Sequence, residues 1–170
     1  MAKAAEENLM EWLRDAHAME QQAEQMLTAQ AKRIEHYGAL KARIEQHIGE
    51  TRRQAERIEA CIKRRGGSTS TLKDLGGRAM ALAQGMSGMF TSDEIVKGSM
   101  ASYTFEHMEI ASYQILAATA GMLGDHETRQ VCESILSEEQ AMADWLRDNL
   151  DSVTSQYLQL ADTPSATAKH

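Results

Sequence analysis

Leu9-Met10-Glu11-Trp12-Leu13-Arg14-Asp15-Ala16-His17-Ala18-Met19-Glu20-Gln21-Gln22-Ala23-Glu24-Gln25-Met26-Leu27 decides the fold. Leu9, Leu13, Ala16, Ala23 and Leu27 recur at three- and four-residue steps, and Ala31 and Ile34 continue the series, so they share one face of a helix. One position on that face is a carboxylate: Glu20 stands between Ala16 and Ala23, where the pattern calls for an apolar residue. An ionised carboxylate in a core costs several kcal/mol unless it is paired or bound to metal. The stretch therefore predicts an amphipathic helix and, on its buried face, an acidic site.

The rest of the chain extends the helical reading. Of 170 residues only one is proline, Pro164, and seven of the 11 glycines fall between Gly66 and Gly98. The flanking stretches are rich in Ala, Leu, Met, Glu, Gln, Lys and Arg, which lose little entropy in a helix. Aromatic residues make up 5% and β-branched runs are missing, which argues against a sheet. The spacing predicts one helix over about 4–36, with Gly38 as a left-handed C-terminal stop. A second runs over about 40–65 on the stripe Leu40, Ile44, Ile48, Thr51, Ala55, Ile58 and Ile62, and Gly66-Gly67 ends it. Ser68 to Thr71 can cap a short helix from Leu72 to about Met86. Thr91 with Glu94 forms a capping box that opens a third long helix to about Met122. Gly121 and Gly124 bracket a break before a fourth helix over about 126–149, and residues 163–170 read as a disordered tail.

Two short-loop hairpins joined by a crossover of some 25 residues define an all-α, one-crossover, ferritin-like four-helix bundle, the crossover carrying a short fifth helix. Residues 1–170 are expected to form a single domain.

Charge and cysteine usage exclude other classes. Eighteen Lys and Arg against 25 Asp and Glu give −7, which opposes affinity for nucleic acid or anionic membrane. The basic run Lys63-Arg64-Arg65 complements a helix C-terminus. No apolar stretch nears the roughly 18 to 20 residues of a membrane span, and the first residues lack a signal-peptide core. Cys61 and Cys132 have no metal-knuckle spacing and read as reduced thiols of a cytoplasmic protein.

An internal repeat locates more carboxylates. An offset of 89 aligns Met19 with Met108, Gln25 with Gln114, Leu27 with Leu116 and Ala31 with Ala120. The same offset places Glu20 on Glu109 and Glu50 on Glu139, a glutamate pair 30 residues apart in each hairpin, able to meet at one height. Glu139 lies among Cys132, Ile135, Leu136, Met142 and Leu146, and Glu138 shares that arc. Glu50 sits at the rim of its stripe beside Arg43, Arg53 and Arg57. His17 and His47 each precede a candidate glutamate by three residues, which puts each pair on one helix face. For His17 the plainer reading is an ordinary, partly buried histidine. The chain contains no Glu-x-x-His, the usual di-iron spacing, and has Glu106 three residues before Glu109 instead.

Five segments, Trp12 to Glu24, Arg43 to Thr51, Ser92 to Ser99, Glu106 to Tyr113 and Ile135 to Glu139, resemble the YciE/YciF family of bacterial ferritin-like proteins, with YciE the nearer branch. The resemblance spans about residues 9–160. It implies a ferritin-like bundle, a homodimer, a cytoplasmic location and a link to stress response. It also implies metal-site carboxylates at Glu20, Glu50, Glu109 and Glu139, with Glu106, His47 and Gln54 as accessory positions. Relatives often place an aspartate four residues after the last glutamate, whereas this chain has Ala143 there and Asp144 one step off.

The function expected is that of a stress-associated protein with a carboxylate-rich dinuclear site. Such a site would act on peroxide or dioxygen, or oxidise iron. Hard oxygen ligands suit iron or manganese, with magnesium or calcium as alternatives. The competing reading is a non-enzymatic dimeric scaffold with a degenerate or structural metal site.

Overall fold

The computed structural model describes residues 2–69, 93–163 and 168. Four helices follow one another: α1 (Ala2–Arg33), α2 (Gly38–Arg64), α3 (Glu94–Met122) and α4 (His126–Ala161). No strand occurs among the described residues. The short crossover helix expected near Leu72, the Thr91 half of the capping box and most of the expected tail lie outside them. α3 begins with Asp93 at its N-cap, and Glu94 turns to Arg33 of α1 at 2.5 Å.

Helix ends follow local chemistry at two of the three turns and tertiary packing at the other. Gly66 and Gly124 adopt positive φ, 75° and 72°. After each, the chain closes back: Gly67 N–H donates to the Ile62 carbonyl, and Asp125 N–H to the Ala120 carbonyl. This is the Schellman arrangement that a left-handed glycine permits. Gly38 is different. It starts α2 instead of stopping α1, and its φ is not positive. The turn is set by Tyr37, whose buried ring packs with Ile34 and Leu40. α4 also runs 12 residues beyond its expected end near Asn149, because Val153, Tyr157 and Leu160 extend its apolar stripe onto the same cluster as Tyr37.

Cross-helix pairs fix the topology. Arg52 of α2 meets Glu24 of α1 at 2.6 Å, Ser102 of α3 meets Gln30 of α1 at 3.2 Å, and Arg57 of α2 meets Glu138 of α4 at 2.7 Å. α1 is thus antiparallel to α2 and α3, and α2 to α4. α3 therefore runs parallel to α2, the one-crossover order.

The core is divided along the bundle axis. One cluster gathers Leu9, Leu13, Ile58, Ile62, Leu116 and Ile135, the other Leu27, Ile34, Leu40, Ile44, Met142 and Leu146. Between them every helix contributes buried polar side chains: Glu20, His47, Glu106, Glu109 and Glu139.

At the α2–α4 corner, Asp125 accepts from Thr128 N–H as the cap of α4 and pairs with Arg64 at 2.6 Å and Arg65 at 2.5 Å. Replacing Asp125 by Ala removes a cap of about 1 kcal/mol together with a half-buried double ion pair. Asp125→Ala is therefore expected to lower stability by about 1–3 kcal/mol in urea titrations, whereas the exposed Asp148→Ala should change it by under about 0.5 kcal/mol.

Candidate metal centre

The site assembles at mid-height from three helices. His47 of α2, Glu106 and Glu109 of α3 and Glu139 of α4 each offer one ligand atom, and these atoms lie within 4.8 Å of one another. All four residues are buried. Helical geometry explains their convergence. Glu106 and Glu109 are one turn apart on the inner face of α3, and His47, Thr51 and Gln54 form a buried polar stretch along α2.

The inner atoms are crowded yet unbonded. His47 Nε2 lies 3.2 Å from Glu106 Oε2 and 3.4 Å from Glu139 Oε2, without hydrogen-bond alignment to either. Glu106 Oε2, Glu109 Oε1 and both Glu139 oxygens also lack partners. Buried polar atoms are nearly always satisfied. A set of oxygens and one imidazole nitrogen, each free on the side where the others gather, is the donor set of a hard or borderline divalent cation. The residues fit such an ion.

Electrostatics of the metal-free site point the same way. Burial, then repulsion from Glu139, Glu20 and Glu106, raises the Glu109 carboxyl well above the ordinary value. Burial raises Glu106 to about 7 against the lowering contact with His47. Burial pulls the His47 imidazolium down, but Glu106, Glu139 and Glu50 outweigh it and push the ring up to about 12.

Glu20 adjoins this group through Tyr113. The Tyr113 hydroxyl donates a short hydrogen bond to Glu20 Oε1, while Oε2 is buried and unpartnered. Burial and the nearby Glu139 charge raise Glu20 well above its ordinary value. Tyr113 is fully buried, and the sequence marks it only as the end of the Glu106 to Tyr113 segment. Its hydrogen-bond partner lies 93 residues away, so no local spacing signals the pair.

Glu50 is placed otherwise than the repeat implied. It stands outside the inner group and accepts from His47 Nδ1 at 2.8 Å, Arg43 at 3.1 Å and Gln46 at 2.8 Å. The His47 bond, then Gln46 and Arg43, hold its carboxyl down at about 2 against burial. The reason is rotational: Glu50 sits about 100° around the helix from Thr51, which occupies the inner stripe. Glu50 orients the imidazole so that Nε2 faces inward, the usual outer partner of a ligating histidine. Glu138 is likewise turned away, bonded to Gln54 at 2.9 Å and Arg57 at 2.7 Å. His17 is buried outside the group with Nδ1 unpartnered, and burial lowers its pKa. Ala143 is buried and Asp144 pairs with Arg147 at 2.6 Å on the surface, so Glu139 is the carboxylate that α4 contributes.

A one-crossover helical bundle with a buried carboxylate–histidine cluster at mid-height defines the ferritin-like class. The family description "Domain of unknown function (DUF892)" matches residues 4–159, and the chain belongs to that family. A Xanthomonas campestris pv. campestris protein of known crystal structure is 41% identical, with 94% of this chain and 99% of that one covered and a TM-score of 0.81. The E. coli stress protein YciF is 23% identical over 86% of this chain and 94% of its own, with a TM-score of 0.70. A dodecameric thioferritin, the bacterioferritin-related protein of Bacteroides fragilis, is 17% identical over 91% and 90%, with a TM-score of 0.68. The last two share the fold.

The pH dependence of the metal-free protein follows from the buried acids. Glu20, Glu106 and Glu109 hold protons more tightly folded than unfolded, so their charging costs stability as pH rises from about 4.5 through 7. His47 acts in the same sense: its contribution is full below 6.5 and is lost as pH rises toward about 12. Glu50 opposes them only in acid, where its contribution is lost as pH falls from 4.5 toward about 2. The melting temperature of chelator-treated protein should therefore fall between pH 5 and pH 8, and Glu109→Gln should flatten the slope. A melting temperature that climbs across this interval contradicts the assignment.

Proposed function

We propose that this chain is a stress-associated, ferritin-like protein of the YciE type whose buried cluster holds a pair of divalent ions, iron or manganese. The observation that carries the reading is the set of unpartnered inner atoms on His47, Glu106, Glu109 and Glu139, continued by Glu20 Oε2. Charge supports two ions: Glu20, Glu106, Glu109 and Glu139 supply four negative charges once deprotonated, the complement of two divalent cations beside a neutral imidazole. Iron in this setting would supply the electrons for reduction of peroxide or dioxygen.

The protein's own residues prepare the site. Tyr113 fixes one Glu20 oxygen and leaves the other free. Glu50, itself held by Arg43 and Gln46, fixes the His47 ring. Apolar clusters above and below exclude water, which strengthens every charge interaction between them. We read residues 1–170 as one domain of a cytoplasmic homodimer. No helix among the described residues is long and apolar enough to cross a membrane.

One observation favours the non-enzymatic scaffold as second reading. With Ala143 buried and Asp144 on the surface, α4 offers one carboxylate where relatives often have two. Such a site would bind metal for stability without turnover.

Calorimetric titration of chelator-treated protein with Fe(II) under anaerobic conditions, or with Mn(II), tests both. Binding near two ions per chain is expected, with release of more than one proton per chain at pH 7, because His47 and the raised carboxyls must give up protons. Glu139→Gln should weaken binding at least tenfold, and Glu50→Gln by roughly 10- to 100-fold through the loosened imidazole. Peroxide or oxygen consumption by the loaded protein separates the enzyme from the scaffold. Absence of binding by every divalent ion tried contradicts the dinuclear site and favours the scaffold with a degenerate one.

A further inference from the structure

A metal centre accounts for the orphaned oxygens of its own carboxylates, but two more lie beside it on α2. Thr51 Oγ1 and Gln54 Oε1 are buried without a hydrogen-bond partner, in residues 1% and 0% exposed. Buried polar atoms without a partner are rare, and each needs an explanation. Thr51 follows His47 by four residues and Gln54 follows it by seven, so the three share one stripe of α2. Gln54 stands about 10 Å from His47 along the helix axis. The stripe leads from the inner group to the seam between α2 and α4.

At that seam the line reaches solvent. Gln54 Nε2 donates to Glu138 Oε2 at 2.9 Å, and Arg57 donates to the same oxygen at 2.7 Å. Both bonds fall on Oε2, so neither engages Oε1. The Arg57 and Glu138 side chains are 31% and 32% exposed, whereas Gln54 is fully buried. Glu50 nears the surface on the other side of His47, but Arg43, Gln46 and His47 occupy both its oxygens, and its side chain is 14% exposed. Glu138 is the more open carboxylate, and the next residue on α4 is Glu139 of the inner group. We propose that Glu138, Gln54 and Thr51 form an entry site for divalent cations, a line of oxygen ligands from solvent to the inner group, with Arg57 as the plug that closes it. This rests on the metal-centre reading and adds the way in.

Divalent ions are strongly hydrated and give up water only where other oxygens replace it. The apolar clusters on either side of the centre offer none, so both ends of the bundle are closed to a cation and a polar seam is required. At the α1–α3 seam Met19 meets Ser112, a thioether beside a hydroxyl already bonded to the Met108 carbonyl of its own helix. The α2–α4 seam instead presents a carboxylate, then an amide oxygen and a hydroxyl. The last two are hard but neutral donors, able to pass a cation on because they hold it weakly. The plug is loosely seated. Arg57 Nε is buried with no acceptor, so the guanidinium is gripped only at its Nη ends, by Glu138 and by Ser134 at 3.1 Å. A half-exposed ion pair of this kind is weak. A doubly charged ion can replace the guanidinium on Glu138, and Arg57 then turns out to solvent and uncovers Gln54.

Rates of metal uptake test the route. Chelator-treated full chain is mixed with Mn(II), and loss of the aqueous ion's electron paramagnetic resonance signal is followed by rapid freezing, beside equilibrium titrations of the same proteins. Glu138→Gln should slow uptake about tenfold or more, and Arg57→Gln should speed it about threefold or more. The slowing should shrink at high salt. Both variants should keep the wild-type stoichiometry and change Kd by less than about threefold, because a route serves entry and exit alike. Gln54→Leu, which replaces the amide by an apolar group of similar size, should slow uptake as Glu138→Gln does. Glu24→Gln removes the same charge from the ion pair with Arg52 at the α1–α2 seam and should leave the rate unchanged. General loosening of the bundle would speed every variant, so it cannot mimic effects of opposite sign. Wild-type protein that takes up neither Mn(II) nor anaerobic Fe(II) overturns the metal-centre reading and this route with it. Wild-type rates in Glu138→Gln or Gln54→Leu, or slower uptake by Arg57→Gln, overturn the route alone. Equal slowing by Glu24→Gln reduces the effect to net charge, and loss of a bound ion in Glu138→Gln makes Glu138 a ligand of the centre; either overturns the route.

Discussion

Mutual repulsion among buried carboxylates is the constraint around which this protein is arranged. Glu20, Glu106, Glu109 and Glu139 are all about 1% exposed or less, in a section of the bundle where water cannot screen them. Left charged and alone, such a group would cost more than a small domain's whole stability margin. In the metal-free protein the cost is limited in two ways: protons stay on Glu20, Glu106 and Glu109 at unusually high pH, and the His47 ring charges to meet its acidic neighbours. A cation would replace both remedies with one. The same desolvation that threatens the fold would favour a bound ion of high positive charge.

The bundle tolerates this because its apolar material is divided. Leu9, Leu13, Ile58, Ile62 and Leu116 close one side of the polar layer, and Leu27, Leu40, Ile44, Met142 and Leu146 close the other. Each cluster draws on all four helices, so the helices are held on both sides of the layer, whatever it contains. Outer groups then fix what the inner ones do. Glu50 grips His47 from the surface side, Tyr113 grips Glu20 from the core side, and Arg43 neutralises Glu50. The internal repeat is thereby broken. Glu20 and Glu109 remain buried equivalents, but Glu50 and Glu139 take different places, one outside the imidazole and one inside it.

Helices, hairpins and the buried glutamate on α1 were legible in the sequence because each is a local matter. A three-four apolar spacing is read within one helix, and Glu20 betrays itself by interrupting that spacing between Ala16 and Ala23. Gly66 and Gly124 mark their helix ends because a left-handed residue carries its own signature. Gly38 misled, since a glycine at a helix start leaves the same mark as one at a helix end, and the burial of Tyr37 decided between them. The end of α4 was missed for a related reason: Val153, Tyr157 and Leu160 find a core partner only when α1 and α2 turn beside them.

The sequence by itself determined the all-helical class, the two hairpins, the acidic character of the site, Glu109 and His47 as candidates by offset and spacing, and two of the buried residues, Glu20 and Glu139. Their burial follows from helical periodicity, which depends on neighbours a few residues away. Only the tertiary structure decided which groups meet: Glu106 with His47, Tyr113 with Glu20, and Glu50 behind the imidazole instead of within the cluster. Periodicity fixes the face of a helix to within about one residue, or 100° of rotation. The difference between a member of the inner group and its outer partner is no larger than that, and it is set by how four helices rotate against one another as their cores pack.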